Sequence, residues 1–203
     1  MLQRNIKDIN YLHFLAGFVE GEGSMSVAVS VDKKFKYGIN IQPIFNVTQH
    51  KNGLDILNSF KELFECGSIV EKSGSPDIYV YTVKGYKNII KSVLPFLETY
   101  VCPFSCKMKE FTIFKQVVLA SSQGKQKDKD SLIELVNLTY TLSGKGNNRK
   151  RSLSEILNII EDKTTYFDDS IEPLQRFLNS QRDYDEVRRE EYEYMLECIN
   201  KED

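Results

Sequence analysis

Two carboxylates, Glu20 and Glu22, close a ten-residue run from Phe14 to Gly23 whose other members are all apolar or small. A carboxylate is costly to bury without a counter-charge. A divalent cation is the economical explanation for two of them at the end of so apolar a segment. Gly17 and Gly21 stand one helical turn apart with Ala16 beside the first, a spacing that lets a second helix approach until the backbones touch. Leu15 and Val19 form one stripe, and Tyr11, Phe14 and Phe18 another. A helix that is apolar most of the way round is expected to be covered on both sides. Two positions apart means about 200° of helical rotation, so Glu20 and Glu22 cannot converge on one ion while the helix stays regular. Glu22 is the stronger ligand, because a helix C-terminus leaves carbonyls without amide partners and carries the negative end of the dipole. Glu20 is expected to fix the helix end, or a helix–helix seam, through hydrogen bonds.

The elements that must position these groups follow from periodicity. The first helix is expected from about Asn10, a suitable N-cap, to Gly21, where glycine allows a sharp exit. Strict alternation follows: Met25, Val27, Val29 and Val31 on one face, Ser24, Ser26, Ala28 and Ser30 on the other. After the basic loop Asp32–Lys36, Ile39, Ile41, Phe45 and Val47 share a core parity against Asn40, Gln42, Ile44, Asn46 and Thr48. Pro43 removes a ladder donor, which suits an edge or a bulge. A helix is expected over 53–65, strands over 67–73 and 77–84 around the turn Gly74–Pro76, and a helix from Tyr86 to the Pro95 region. The fold class is therefore α+β, in the order αββαββα, with four antiparallel strands and helices on one face. Further helices are expected over 106–121 and 130–142. Ser152 and Glu155 form a capping box that opens another. The organisation is a core over 1–122, a helical extension over 123–161 and an acidic, helical tail over 162–203, in which Leu174, Phe177, Leu178, Val187, Met195 and Ile199 allow an amphipathic helix.

The net charge of −2 over 203 residues conceals an asymmetry. Residues 1–151 carry 21 Lys+Arg against 14 Asp+Glu, a balance of +7, while residues 152–203 carry 6 against 15, a balance of −9. A basic body with an acidic tail is a pattern of nucleic-acid proteins. No apolar run reaches membrane-spanning length and no secretory h-region opens the chain, so an intracellular protein without membrane partners is expected. Cys66, Cys102, Cys106 and Cys198 read as buried, reduced thiols rather than a zinc set.

The run Leu15–Gly23 resembles the signature of the LAGLIDADG homing endonucleases, with both usual aspartates replaced by glutamate and a glycine where many members have alanine. Phe45-Asn-Val-Thr-Gln49 resembles the family's second landmark, and Pro95-Phe96-Leu97 followed by Lys107-Met-Lys109 the third. The likeness spans about residues 10–120. It is closest to the single-motif members encoded in introns of organellar ribosomal RNA genes, which implies a chloroplast or mitochondrial setting. It implies a half-saddle of antiparallel strands and a site-specific DNA endonuclease. Such an enzyme makes a double-strand break in a long pseudo-palindromic target by two-metal phosphodiester hydrolysis, leaving short 3′ overhangs.

The resemblance assigns Glu22 as metal-binding acid, with the Gly21 carbonyl a plausible further ligand, and Gln49 as the residue that positions water. Lys107, or failing that Lys109, would place positive charge beside the attacked phosphate. The cofactor implied is Mg2+, with Mn2+ substituting and Ca2+ supporting binding without cleavage. Bases would be read from the polar strand faces, the candidates being Ser26, Ser30, Asn40, Gln42, Asn46, Lys72, Asp77, Tyr79 and Tyr81. Lys33, Lys34 and Lys36 are better placed for phosphates. His50, next to Gln49, is expected to touch phosphate rather than act as a base. One chain offers one Glu22, so cutting both strands requires a homodimer, with Leu15, Ala16, Gly17, Val19, Glu20 and Gly21 at its seam. The alternatives are a splicing maturase that binds intron RNA on the same scaffold, and a non-catalytic DNA-binding protein. Intact Glu22 and Gln49 argue against the latter.

Overall fold

The computed structural model describes residues 5–142 and 149–166, with side chains through 162. Helix α1 spans Ile9–Glu22. Its cap is Asp8, whose carboxylate accepts from the amides of Asn10 and Tyr11, so the expected cap Asn10 lies inside the first turn. The exit falls at Gly23 rather than Gly21. Gly23 is extended (φ −80°, ψ 147°) and donates to the Val19 carbonyl. A Cβ there would stand 2.5 Å from that same oxygen, which explains a glycine at a backbone angle any residue can adopt.

Strands β1 (Gly23–Val31) and β2 (Ile39–His50) form an antiparallel hairpin in which Gly23 pairs with Val47 and Val31 with Ile39. Helix α2 (Leu54–Phe64) follows, then β3 (Ser68–Glu71) and β4 (Ile78–Lys84). All strand pairs are antiparallel, in the order β1-β2-β4-β3. This is the αββαββα arrangement expected from periodicity. Pro43 lies on an inner strand without breaking the ladder. The β2–β4 pairing begins only at Ile44, and Ile41, two residues before Pro43 and so facing the same way, gives its carbonyl to the Tyr86 hydroxyl. The missing amide therefore faces the unpaired flank of β2.

The next helix does not stop at Pro95. Helix α3 runs over residues 86–101, with wide i→i+5 turns at Ile89–Val93 and Leu97–Val101 on either side of the proline. Such turns let a helix pass a residue that lacks an amide donor. A tight turn at Cys102–Phe104 then leads to α4 (Met108–Ser122), α5 (Lys129–Leu142) and α6 (Leu153–Tyr166). The Ser152–Glu155 capping box is present, with the Ser152 amide 2.6 Å from the Glu155 carboxylate and the Glu155 amide 3.2 Å from the Ser152 hydroxyl.

One face of the sheet carries the core. Phe45, Phe60, Phe64, Tyr81 and Phe96 are buried and ring-packed there, with Phe60 stacked on Tyr81 at 6.2 Å between centroids. The described residues through Ile160 form one compact unit. The apolar residues expected to pattern the acidic tail lie outside the described residues. Among the described residues, no helix is long and apolar enough to cross a membrane.

Candidate active site

The C-terminus of α1 is where the sequence motif, the end of β2 and the start of α4 come together. Gly23 is the common point: it follows Glu22, pairs with Val47 on β2, and its carbonyl accepts the Lys107 ammonium at 2.9 Å. Lys107 also reaches the Val19 carbonyl at 3.4 Å, so its charge is moored on the last turn of α1. Lys109, the second residue of α4, is exposed. Of the two lysines, the structure brings Lys107 to the helix end.

The two motif carboxylates have opposite surroundings. Glu20 is fully engaged within its own chain. It accepts from the Ser105 hydroxyl, from the Cys106 thiol at 2.9 Å and from the Cys106 amide at 3.2 Å. Ser105 in turn accepts the Lys107 amide at 2.9 Å, so Glu20 fixes the segment that delivers the lysine. The Cys106 thiol and then the Ser105 hydroxyl hold the Glu20 carboxyl below its ordinary value, outweighing desolvation. The same contact raises the Cys106 thiol, so it stays a donor. Glu22 is exposed, and among the described residues nothing hydrogen-bonds to it or pairs with its charge.

Gln49 ends β2 on the core parity, two residues past Val47 and half-buried. Its Oε1 accepts the His50 amide at 2.7 Å. The His50 ring is not directed at the site: its Nδ1 accepts the Asn52 amide at 3.3 Å and caps the turn that follows.

A family model described as LAGLIDADG endonuclease matches residues 15–118. The chain belongs to that family. It is 36% identical over 125 residues to the DNA endonuclease I-CeuI of Chlamydomonas moewusii, covering 61% of this chain and 57% of that one. It is 30% identical over 151 residues to the homing endonuclease I-ApeII of Aeropyrum pernix, covering 72% of this chain and 88% of the relative. The fold matches the archaeal intron-encoded homing endonuclease I-Vdi141I complexed with DNA, with a TM-score of 0.72 at 30% identity over 78% of this chain and 99% of that one. Its likeness to the DNA complex of I-CeuI gives a TM-score of 0.73 at 27% identity, covering 78% of this chain and 79% of that one.

Within one chain, α1 has one covered side and one open side. Leu15, Ala16 and Val19, expected at a dimer seam, are buried in their own core, and Glu20 is tied to Ser105 and Cys106. The open side is Asn10, His13, Phe14, Gly17 and Gly21, with Phe14 51% exposed. A Cβ at either glycine would meet nothing within 4 Å.

The uncovered sheet face carries Ser26 and Ser30 on β1 and Asn40, Gln42 and Asn46 on β2, as the alternation indicated. Two expected members belong elsewhere. Tyr81 is 0% exposed and donates to the Cys66 carbonyl at 2.8 Å, and Tyr79 shares its parity and packs on the core. In their place the open phase of β4 brings Val80, Thr82 and Lys84. The signal was Lys84, whose charge fixes the outward phase of a strand in which both phases hold apolar residues. Asp77 sits at the turn before β4 with φ 63°, paired to Lys51 at 3.0 Å. Lys72 lies just beyond β3 and is exposed, as are Lys33, Lys34 and Lys36 in the β1–β2 loop. Lys36 stands over the Tyr37 ring at 4.9 Å. Cys66 and Cys102 are half-buried, but Cys106 is exposed, against the expectation of burial. Among the described residues, no three His, Cys, Asp or Glu side chains gather to cage a metal.

Proposed function

We propose that this chain is a site-specific DNA endonuclease of the homing type, acting as a homodimer with a divalent cation. The observation that carries this reading is the contrast at the end of α1: Glu22 is exposed and unpartnered among the described residues, while Glu20 and Ser105 hold the segment that brings Lys107 to the same helix end. The donor set fits a hard divalent ion. Mg2+ takes one or two carboxylates and completes its shell with water and substrate phosphate oxygens, so one Glu22 per chain, with the Gly21 carbonyl beside it, is sufficient once phosphate is present. Bound there, such an ion would activate water and offset charge at phosphorus.

The chain's own groups do the remainder. The Lys107 ammonium, held by two carbonyls, presents fixed positive charge where the phosphate gathers negative charge. Gln49 orients solvent beside it. The sheet's open face lies in the major groove, where Asn40, Gln42 and Asn46 reach base edges, and Lys33 and Lys34 contact phosphates without specifying sequence. Two such sites face opposite strands when α1 packs on its twin along Gly17 and Gly21, whose missing side chains allow close approach. The expected target is long and pseudo-palindromic, the products carry short 3′ overhangs, and an intracellular, organellar setting follows from the kinship.

The test is a randomised duplex library incubated with Mg2+, Mn2+ or Ca2+, followed by recovery of cut ends. Mg2+ and Mn2+ should give cleavage and Ca2+ binding alone. Glu22→Gln should lower cleavage by at least about 1000-fold while duplex binding in Ca2+ is kept. A Glu22→Gln protein that cuts at the parental rate would refute the reading. Gly17→Leu should lose both the dimer, by sedimentation, and cleavage.

A further inference from the structure

The turn that follows β2 is shaped around the side chain of Gln49. A methyl group at Gly53 would stand 2.3 Å from Cγ and 2.9 Å from Cδ of Gln49, and 3.4 Å from its Nε2. The backbone of Gly53 (φ −106°, ψ 16°) is open to any L-residue, so glycine is required here by the contact and not by the conformation. Three further bonds hold the turn in place. The His50 ring caps it through the Asn52 amide, the Lys51 amide donates to the Asp77 carbonyl at 2.7 Å, and the Lys51 ammonium pairs with the Asp77 carboxylate at 3.0 Å.

We infer that Gly53 is a positioning residue for catalysis, acting through Gln49. The cradle has two walls. The His50 amide is a donor, so the oxygen of the Gln49 amide must face it, as observed at 2.7 Å. The bare α-carbon of Gly53 lies along the Gln49 stem. Together they fix both the place of the amide and its sense, leaving the Nε2 hydrogens, and not the oxygen, to meet solvent or a phosphate oxygen. Any side chain at residue 53 displaces the stem and turns the amide off that line. A shift of about 1 Å in a catalytic group costs about 100-fold in rate. This inference rests on the catalytic role proposed above for Gln49, and it adds a residue that itself touches neither metal nor DNA.

The experiment is a double-mutant cycle between Gly53→Ala and Gln49→Ala in the full chain, read in two ways. Cleavage is followed with Mg2+ on a duplex recovered from the library. Gly53→Ala should lower kcat by about 10- to 100-fold and leave KM and duplex binding in Ca2+ within about twofold, and the double variant should match Gln49→Ala alone. Thermal unfolding without DNA supplies the second reading. Gly53→Ala should lower the midpoint by roughly 2–10 °C, and the loss should vanish in the Gln49→Ala background, where no Cγ or Cδ remains to be struck. A purely structural role for Gly53 at the start of α2 would leave that loss intact and overturn the inference. So would parental kcat in Gly53→Ala when Gln49→Ala is slow. Parental kcat in Gln49→Ala would instead remove the catalytic role of Gln49, and this inference with it.

Discussion

The two faces of the four-stranded sheet are built by the same alternating strands and differ in what covers them. On the helix side, Ile39, Ile41, Phe45, Val47, Tyr81 and Val83 are all buried beneath the helices. On the other side Ser26 and Ser30 are exposed, Asn40, Gln42 and Asn46 are half-buried, and Val70 is 55% exposed. Hydrophobicity alone does not separate the faces. A tyrosine lies deep in the covered one because its hydroxyl finds the Cys66 carbonyl, while Val70 and Val80 lie on the open one because β3 and β4 pair in that register. A face stays uncovered when its polar groups have another partner to meet. Here those groups are amides and hydroxyls at the spacing of a strand, which suits base edges.

Loss of packing on the covered side should have the largest effect on stability. Phe60 contacts Phe18, Phe64, Tyr81 and Phe96. Phe60→Ala should destabilise the protein by about 3–5 kcal/mol, measured by urea unfolding. A loss below about 1 kcal/mol would mean that the ring cluster is not the centre of the core.

The open side should respond with the reverse pattern. The Oδ1 of Asn46 is shielded from solvent and accepts no hydrogen bond, so the folded protein gains little from it. Asn46→Ala should leave the melting temperature unchanged or slightly higher. It should also relax discrimination at one base pair by about 1–3 kcal/mol, seen as a changed profile at one position of the selected site. An unchanged profile together with a lower melting temperature would place Asn46 on the structural side.

How much of this was legible in the sequence depended on how far apart the partners lie. The face alternation of β1 and β2, helix α2 and the Ser152–Glu155 box are local patterns, and each is where the residues indicated. The outward phase of β4 was not legible from hydrophobicity, because Tyr79 and Tyr81 are amphipathic and Val80 and Thr82 are not clearly polar. Only Lys84 marks it. The partners of Glu20 lie 85 and 86 residues further along the chain, beyond any spacing rule, although the expectation that Glu20 ties down a helix end by hydrogen bonding agrees with those contacts. Gly53 reads in sequence as one more loop glycine, and its reason is visible only once Gln49 is placed against it. Glu22 was legible from its place at a helix end as well as from the family resemblance, whereas Gln49 and Lys107 came from the resemblance alone; that Lys107 reaches the Gly23 carbonyl is a property of the fold.

A smaller effect sharpens the boundary between the two faces. Tyr81→Phe removes one buried hydroxyl and leaves the Cys66 carbonyl without its donor, at a cost of about 1–3 kcal/mol. If Tyr81 faces the core, the site profile of the variant should match that of the parent at every base pair. A changed profile would put the ring on the open face and reverse the register of β4.

The smallest effect concerns the end of α1, where Glu20 holds the Ser105–Lys107 segment. Glu20 is held by donors and its carboxyl lies below the ordinary value of 4.5, so its contribution is complete above about that pH and fades as pH falls through the depressed value. Cys106 supplies two of those donors, its thiol and its amide. Its thiol is raised above 9.0, chiefly by the hydrogen bond to Glu20, so its part is complete below that pH and fades as pH rises through the raised value. The clamp on Ser105–Lys107 should therefore be intact across the window between the two and loosen at both ends. Measured as the difference in melting temperature between the parent and Glu20→Ala, it should be flat through neutral pH and shrink toward zero in acid and in strong base. A difference that ignores pH would mean that packing, and not the carboxylate–thiol pair, keeps Lys107 at the end of α1.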